Sequence, residues 1–569
     1  MRPRRHCLLL CGLVWAAAAA PAAAQPPPVA APPALDLPAR VGVEGGQPLA
    51  LTLEDAIRLT LEQNNDVAVA RLDVDVARQD IFAAEGVFDP RLVPSVSFQR
   101  AVSANTSAIG GAINGRLEQD SLQAALGLEG RTPWAGGRFT VDFTSSRLES
   151  SNQFARLNPQ FPSAFAVSYV QPLVRGRTID AERRQIRLAR RAADLTDRQL
   201  TQVLMDQLTL VEQAYWDVVF AARNLEVQAT ALSQARGQVA SNERQAQEGT
   251  LAPIDVIEAQ TQVANFRQSV ASAQLTLTEA ENRLKRLMLA SRGAAEWSRP
   301  IVPADAADRP VPSLALDEAV QVALSRRPEL AALDTARAQN EIDRDYFSDQ
   351  ARPQFDLVGA YTLSGLAGNA LQGTGSPLGN QSDAALLARL NELSERAGLD
   401  ALPEPPPSTG SSVPGFLVGS YGDSLSNLFS RRYPTAVVAL QMELPIGNST
   451  ARANLARTQM TGTQIARQRQ QLEQAIEADV RNTMQAVRSA EQRLEAAASA
   501  RRNASEQYES ERRRFESGLS TVFLVIERQT ALVTAQAQEL RARADLNQAI
   551  ALLDRAVGGT LERHGVTIQ

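Results

Sequence analysis

From Ala451 to Ser517 the chain contains no proline, and from Ile465 onward its larger apolar residues are Leu472, Ile476, Val480, Met484, Val487, Leu494, Tyr508 and Phe515. The steps between them are threes, fours and multiples of seven, which draw one apolar stripe along a helix with a coiled-coil period, one beat being missed at Arg501. At 1.5 Å per residue such an arm is roughly 100 Å long, a rod that an ordinary globular domain does not need. After the turn Glu516-Ser517-Gly518-Leu519-Ser520-Thr521, a second stripe from Val522 through Val525, Val533, Leu546, Ile550 and Leu553 to Val557 can return antiparallel on the first. Gly518 suits the left-handed residue that ends a helix, and Ser520 or Thr521 can cap the next. These residues alone also fit an ordinary coiled coil, so the rest of the chain must decide.

Met1 to Ala24 reads as a secretory signal: Arg2, Arg4 and Arg5, an apolar stretch from Leu8 to Ala20, and Ala22-Ala23-Ala24 before Gln25. Both cysteines, Cys7 and Cys11, lie inside it, and neither follows the small residue that lipid attachment favours. The mature chain is expected to have no disulfide, no thiol nucleophile, no metal site and no cofactor. His564 is its one histidine, and a lone histidine near a C-terminus is more often solvated than a ligand. A net charge of −5 argues against a nucleic-acid partner. There is no Gly-x-Ser-x-Gly, phosphate loop or histidine cluster to support an enzyme. Residues 25–48, rich in proline and alanine, read as a flexible leader.

The body of the chain is expected to be two copies of one plan, 49–290 and 314–558, joined by a linker at 291–313 and followed by a tail at 559–569. Leu51-Thr-Leu-Glu-Asp-Ala-Ile-Arg-Leu-Thr-Leu matches Leu314-Ala-Leu-Asp-Glu-Ala-Val-Gln-Val-Ala-Leu, and the match runs without a gap to Pro90-Arg91-Leu92 and Pro353-Gln354-Phe355. Each copy opens with an amphipathic helix, Leu53 to Glu85 and Leu316 to Gln350, stopped by a proline. The apolar period then changes from near 3.6 to 2: Val96 and Phe98; Phe165, Val167 and Tyr169; Phe355, Leu357, Tyr361 and Leu363; Val438, Leu440, Met442 and Leu444. Strands with one apolar and one small or polar face are what an outer-membrane barrel requires. Alternation alone also fits a soluble sandwich, and placement between long helices in an exported chain favours the membrane. No run approaches eighteen apolar residues, so the reading excludes a membrane-spanning helix. Two more runs, Leu122 to Gly130 and Gly137 to Ser146, read as a hairpin that either joins the barrel or projects from it. Gly365 to Tyr433, with a short helical run near Ala384 to Ala397, reads as a long external loop. The first-half rod spans about Ile179 to Glu248, turns at Gly249-Thr250-Leu251-Ala252-Pro253 and returns to about Leu289, Pro253 suiting a first helical turn.

Those features, in that order twice over, resemble the TolC family of outer-membrane efflux proteins. The resemblance rests on the two Leu-x-Leu-[Glu/Asp]-[Asp/Glu]-Ala openings, the Gln171-Pro172-Leu173 and Leu444-Pro445-Ile446 turns, and the glycine tips Gly249-Thr250-Leu251 and Gly518-Leu519-Ser520-Thr521. It implies an α+β membrane protein in the cell outer membrane with a large periplasmic part. Three copies would build one twelve-stranded barrel, about four strands per chain, continuous with a coiled-coil tunnel. It also implies passive export in a tripartite efflux or type I secretion system, with a periplasmic adaptor and an inner-membrane transporter as partners. The residues Gly249, Thr250, Leu251, Gly518, Leu519 and Ser520 become candidate adaptor-docking tips. Family gates carry acidic residues six and nine positions after the second tip glycine. Here those positions hold Leu524 and Glu527, with Asp255 and Glu258 at the equivalent places of the first hairpin, so only part of an acidic gate is matched, and Glu527 also fits a solvated helix face. The competing class is a periplasmic coiled-coil structural protein without a pore.

Overall fold

The computed structural model describes residues 40–43, 47–106, 111–112, 114–305, 310–371, 381–403 and 413–566; the expected signal and most of the leader lie outside these. In the first half, β1 (Leu49–Leu51) leads to α1 (Leu53–Gln63) and α2 (Asn65–Glu85). Four strands follow, β2 (Arg91–Ala104), β3 (Arg116–Arg131), β4 (Arg138–Ser150) and β5 (Leu157–Pro172), then α3 (Ala181–Gln247) and α4 (Pro253–Met288). The second half runs β6 (Ile301–Pro303), α5 (Leu316–Arg326), α6 (Pro328–Gln350), β7 (Gln354–Ala370), α7 (Gln381–Arg396), α8 (Tyr421–Phe429) and β8 (Tyr433–Glu443). It ends in α9 (Ser449–Glu516), α10 (Val522–Val557) and the single turn α11 (Thr560–Arg563).

The rods form where the spacing places them. At 67 and 68 residues, α3 and α9 are each about 100 Å long. Along α9, Ile476, Val480 and Val487 are buried against Leu546, Ile550 and Leu553 of α10, with Leu472, Met484 and Leu494 packed beside them. Leu208, Val211, Tyr215 and Val218 of α3 close on Val263, Phe266, Val270 and Leu284 of α4 in the same way. Each such side chain stabilises the hairpin by about 1.5–3 kcal/mol. The missed beat is filled rather than empty, since Arg501 is ion-paired with Glu539 across the hairpin.

Each opening helix, expected unbroken, is interrupted once, at equivalent positions of the ungapped match. Asn64 adopts an extended backbone and its side chain accepts from the amides of Asp66 and Val67, so a new helix starts there. Arg327 is likewise extended, without a side-chain cap, ahead of Pro328, which cannot donate to the preceding turn. The guanidinium of Arg327 then ties the break to Asp479 of α9 (2.7 Å) and to the Ala556 carbonyl of α10 (3.2 Å).

About four strands per chain were expected, and the structure has six in one antiparallel sheet, ordered β2-β3-β4-β5-β7-β8. The 122–146 hairpin neither projects nor caps the sheet; it sits between β2 and β5 because its alternation continues theirs in register. Along one row, Leu92, Leu128, Val141, Val167, Tyr361 and Ala436 lie side by side on one face. On the other face the neighbouring row is Val93, Gly127, Asp142, Ala166, Thr362 and Thr435. One face is therefore apolar from edge to edge and the other mostly small or polar. The β3–β4 turn is seated on the end of β5, where Gln171 Nε2 donates to the Ala135 carbonyl (2.7 Å), and on the start of α3, where Arg131 is ion-paired with Glu182. The external loop starts later than expected, because Gly365 to Ala370 belongs to β7.

Between the halves the chain is partly ordered by pairing. β6 lies parallel to β1, and Lys285 of α4 is buried with its ammonium donating to the carbonyls of Trp297 (2.9 Å) and Arg299 (2.7 Å). Burial holds its pKa below the usual lysine range. The only lysine of the chain thus has a structural role that composition did not reveal. His564, expected to be solvated, is instead mostly buried and meets the fully buried Glu212 of α3 at 2.5 Å, because α11 folds back onto that helix.

Candidate functional site: the hairpin tips and the two-faced sheet

Both tips end through the same backbone chemistry. Gly249 and Gly518 take φ of +74° and +75°, a left-handed conformation costly for residues with a Cβ. The amides beyond them, Thr250 and Leu519, donate back to the carbonyls of Gln245 (2.9 Å) and Arg514 (2.8 Å), the six-to-one bond of a Schellman stop. Beyond the first tip Pro253 opens α4, as its fixed φ favours. Past the second, Thr521 rather than Ser520 caps α10 by accepting from Leu524, while the Ser520 hydroxyl bonds Glu511.

The two tips stand side by side. Gln262 of α4 donates to Thr530 of α10 (2.9 Å), and Gln529 donates to Gln234 of α3 (3.4 Å), both a few turns from the tips. At the opposite end, Asp349 of α6 accepts from the Gly176 amide (2.6 Å) and Arg184 of α3 pairs with Asp343 (2.8 Å), next to the sheet. The tips and the sheet are the two ends of one rod.

Of the docking residues proposed from sequence, Leu519 is 72% exposed, and Gly249, Thr250 and Gly518 are exposed, while Leu251 and Ser520 are half-buried. Sequence reasoning missed the apolar residues one turn further on. Ile254, Ile257 and Phe523 are all more than half exposed, so the tip end carries a larger apolar surface than two leucines. The signal was present: Ile254, Ile257 and Phe523 stand off the buried stripes of their own helices. Around the expected gate, Glu527 is exposed, and Leu524, Asp255 and Glu258 are half-buried. Among the described residues no cluster of His, Cys, Asp and Glu could hold a metal, and no helix is long and apolar enough to cross a membrane.

The model of the outer membrane efflux protein family matches residues 140–288 and 415–559, and the chain belongs to that family. These segments contain both rods, both tips, β5, β8 and all but the first two residues of β4. No curated protein matches the chain. Among solved structures, the outer-membrane channel OprN is 15% identical, with a TM-score of 0.58, over 89% of this chain and 90% of its own. The CmeC outer membrane channel of Campylobacter jejuni is 13% identical, with a TM-score of 0.58, over 89% of this chain and 86% of its own. The open-state MtrE channel of Neisseria gonorrhoeae is 16% identical, with a TM-score of 0.52, over 90% and 89%. At these identities the likeness is one of fold.

Proposed function

We propose that three copies of this chain build one outer-membrane export channel, its sheets closing a barrel in the membrane and its hairpins forming the periplasmic tunnel. The observation that carries this is the six-stranded sheet. Val96, Val438 and Leu440 on its apolar face are 75%, 82% and 64% exposed, and its edges, β2 and β8, lack partners on one side. In water such a face and two such edges are a liability; in lipid, edge-to-edge closure satisfies every backbone group. Six strands per chain make eighteen in a trimer rather than the twelve first expected, and barrels of this size leave an aqueous channel. The polar face, with Asp142, Thr362 and Thr435, then lines the lumen.

The channel acts as a passive conduit with no catalysis, docking through its tips on a periplasmic adaptor that couples it to an inner-membrane transporter. A poreless periplasmic coiled coil fits less well, because it would leave the apolar sheet face in water. Planar-bilayer recording of purified trimers tests the proposal: discrete conductance steps are expected. Protein recovered wholly in the soluble periplasmic fraction would exclude the channel.

A further inference from the structure

α8 was not anticipated, and the function above does not use it. It lies flat on the outer end of β5 and β7, held by Ser424 Oγ against Ser163 Oγ (2.8 Å) and by Asn427 Nδ2 donating to the Leu366 carbonyl (3.0 Å). Gly365 makes the approach possible, since a Cβ there would stand 2.3 Å from the Ser424 carbonyl oxygen. Ser163 and Gly365 pair across the strands on the same face as Phe165 and Leu363, so α8 sits on the apolar side of the sheet and not on the lumen side.

Its height follows from strand length. Below α8 the apolar face of β7 runs from Phe355 to Leu363, and a tilted strand crosses a bilayer in about 9–11 residues. The inner end of β7 joins α6 and the rods, so α8 begins where the apolar band ends on the outer side. Around it Phe416, Tyr421, Phe429 and Tyr433 are exposed, Phe429 at 68%. Arg431 and Arg432, also exposed, follow at its C-terminal end, and the Arg432 guanidinium lies 4.3 Å from the centre of the Phe416 ring. Aromatic rings beside two consecutive arginines suit a bilayer interface, with rings at headgroup level and cations on phosphate.

We propose that α8 is an in-plane anchor that holds anionic, phosphate-bearing lipid of the outer leaflet. Phe429 enters the acyl boundary while Arg431 and Arg432 take the phosphate. This rests on the reading that the apolar sheet face meets lipid, and the test separates the two. No cysteine follows Cys11, so in the protein purified without its expected signal Phe429→Cys and Val438→Cys each accept one nitroxide label. The labelled trimers are placed in phosphatidylcholine vesicles containing phosphatidylglycerol, and relaxation by oxygen is compared with relaxation by a water-soluble nickel chelate. Both labels should be oxygen-accessible and nickel-poor, with position 429 the shallower. A nickel-accessible label at 429 beside a lipid-immersed label at 438 would overturn the anchor alone. Nickel access at 438 would overturn the channel reading itself. Arg431→Ser should retain about fivefold less phosphatidylglycerol on purification, and unchanged retention would remove the phosphate contact.

Discussion

Asn64 divides the first opening helix, and its replacement tests whether that break is set by one side chain. The residue is 4% exposed. Its Oδ1 accepts from the Asp66 amide at 2.8 Å and the Val67 amide at 3.0 Å, and its Nδ2 donates to the Leu287 carbonyl, at the end of α4, at 2.9 Å. Asn64→Ala removes all three bonds and a longer fourth, from Nδ2 to Gln207 Oε1 (3.5 Å). Loss of the cap costs about 1 kcal/mol, and a buried carbonyl left without its donor costs about 1–2 kcal/mol more, giving about 2–3 kcal/mol in total. Asn64→Ser keeps a cap acceptor and loses the Nδ2 bonds to Leu287 and Gln207, so it should cost about 1 kcal/mol less than alanine. Urea unfolding followed by helical ellipticity reads the difference, and hydrogen exchange at the Asp66 and Val67 amides localises it. Exchange there should accelerate in the alanine variant and stay slow in the serine variant. Equal destabilisation by both, or no change in either, would refute the capping argument.

Glu527→Gln should weaken cation selectivity, because three like charges near the pore axis focus potential; an unchanged reversal potential would remove Glu527 from the constriction. Leu519→Asp should leave trimer assembly intact while abolishing adaptor co-purification and export, and normal recovery of adaptor would exclude this tip as the contact. Tyr215 titrates above the usual tyrosine range, first through burial and then through its bond to Asp305 (2.8 Å). The folded state therefore holds this proton more tightly than the unfolded state, so its stabilisation is complete below about pH 10 and declines above that. Tyr215→Phe should flatten the alkaline loss of stability measured by thermal unfolding, and an identical alkaline profile would contradict the assignment.

The rods were legible because the burial pattern repeats the spacing of Val480, Val487, Leu208, Val211 and Tyr215 residue by residue. The tips were legible because Gly249 and Gly518 occupy the one conformation that selects glycine. Pro328 could have revealed the break before it, whereas the break at Asn64 is set by a side chain reaching amides and a distant carbonyl, which local pattern does not encode. Strand alternation was visible for β3 and β4, yet whether a hairpin inserts between two strands depends on pairing partners far away in sequence. α8 carries its own start signal, Ser420 and Asp423 capping each other, but it is short and surrounded by glycine and serine. His564 was misread because its partner, Glu212, is brought to it only by tertiary folding, as are the Trp297 and Arg299 carbonyls that hold Lys285. The exposed apolar residues of the tip, Ile254, Ile257 and Phe523, could have been found by asking which apolar residues the stripes leave out.

The central claim is that three copies close one membrane barrel with every strand of the six-stranded sheet in its wall. Electron cryo-microscopy of the purified protein in lipid nanodiscs tests it directly. The account predicts a three-fold particle with eighteen strands around the pore and β2 of one copy paired to β8 of the next. A twelve-stranded wall with the β3–β4 hairpin outside it, or a particle without a shared barrel, would contradict it.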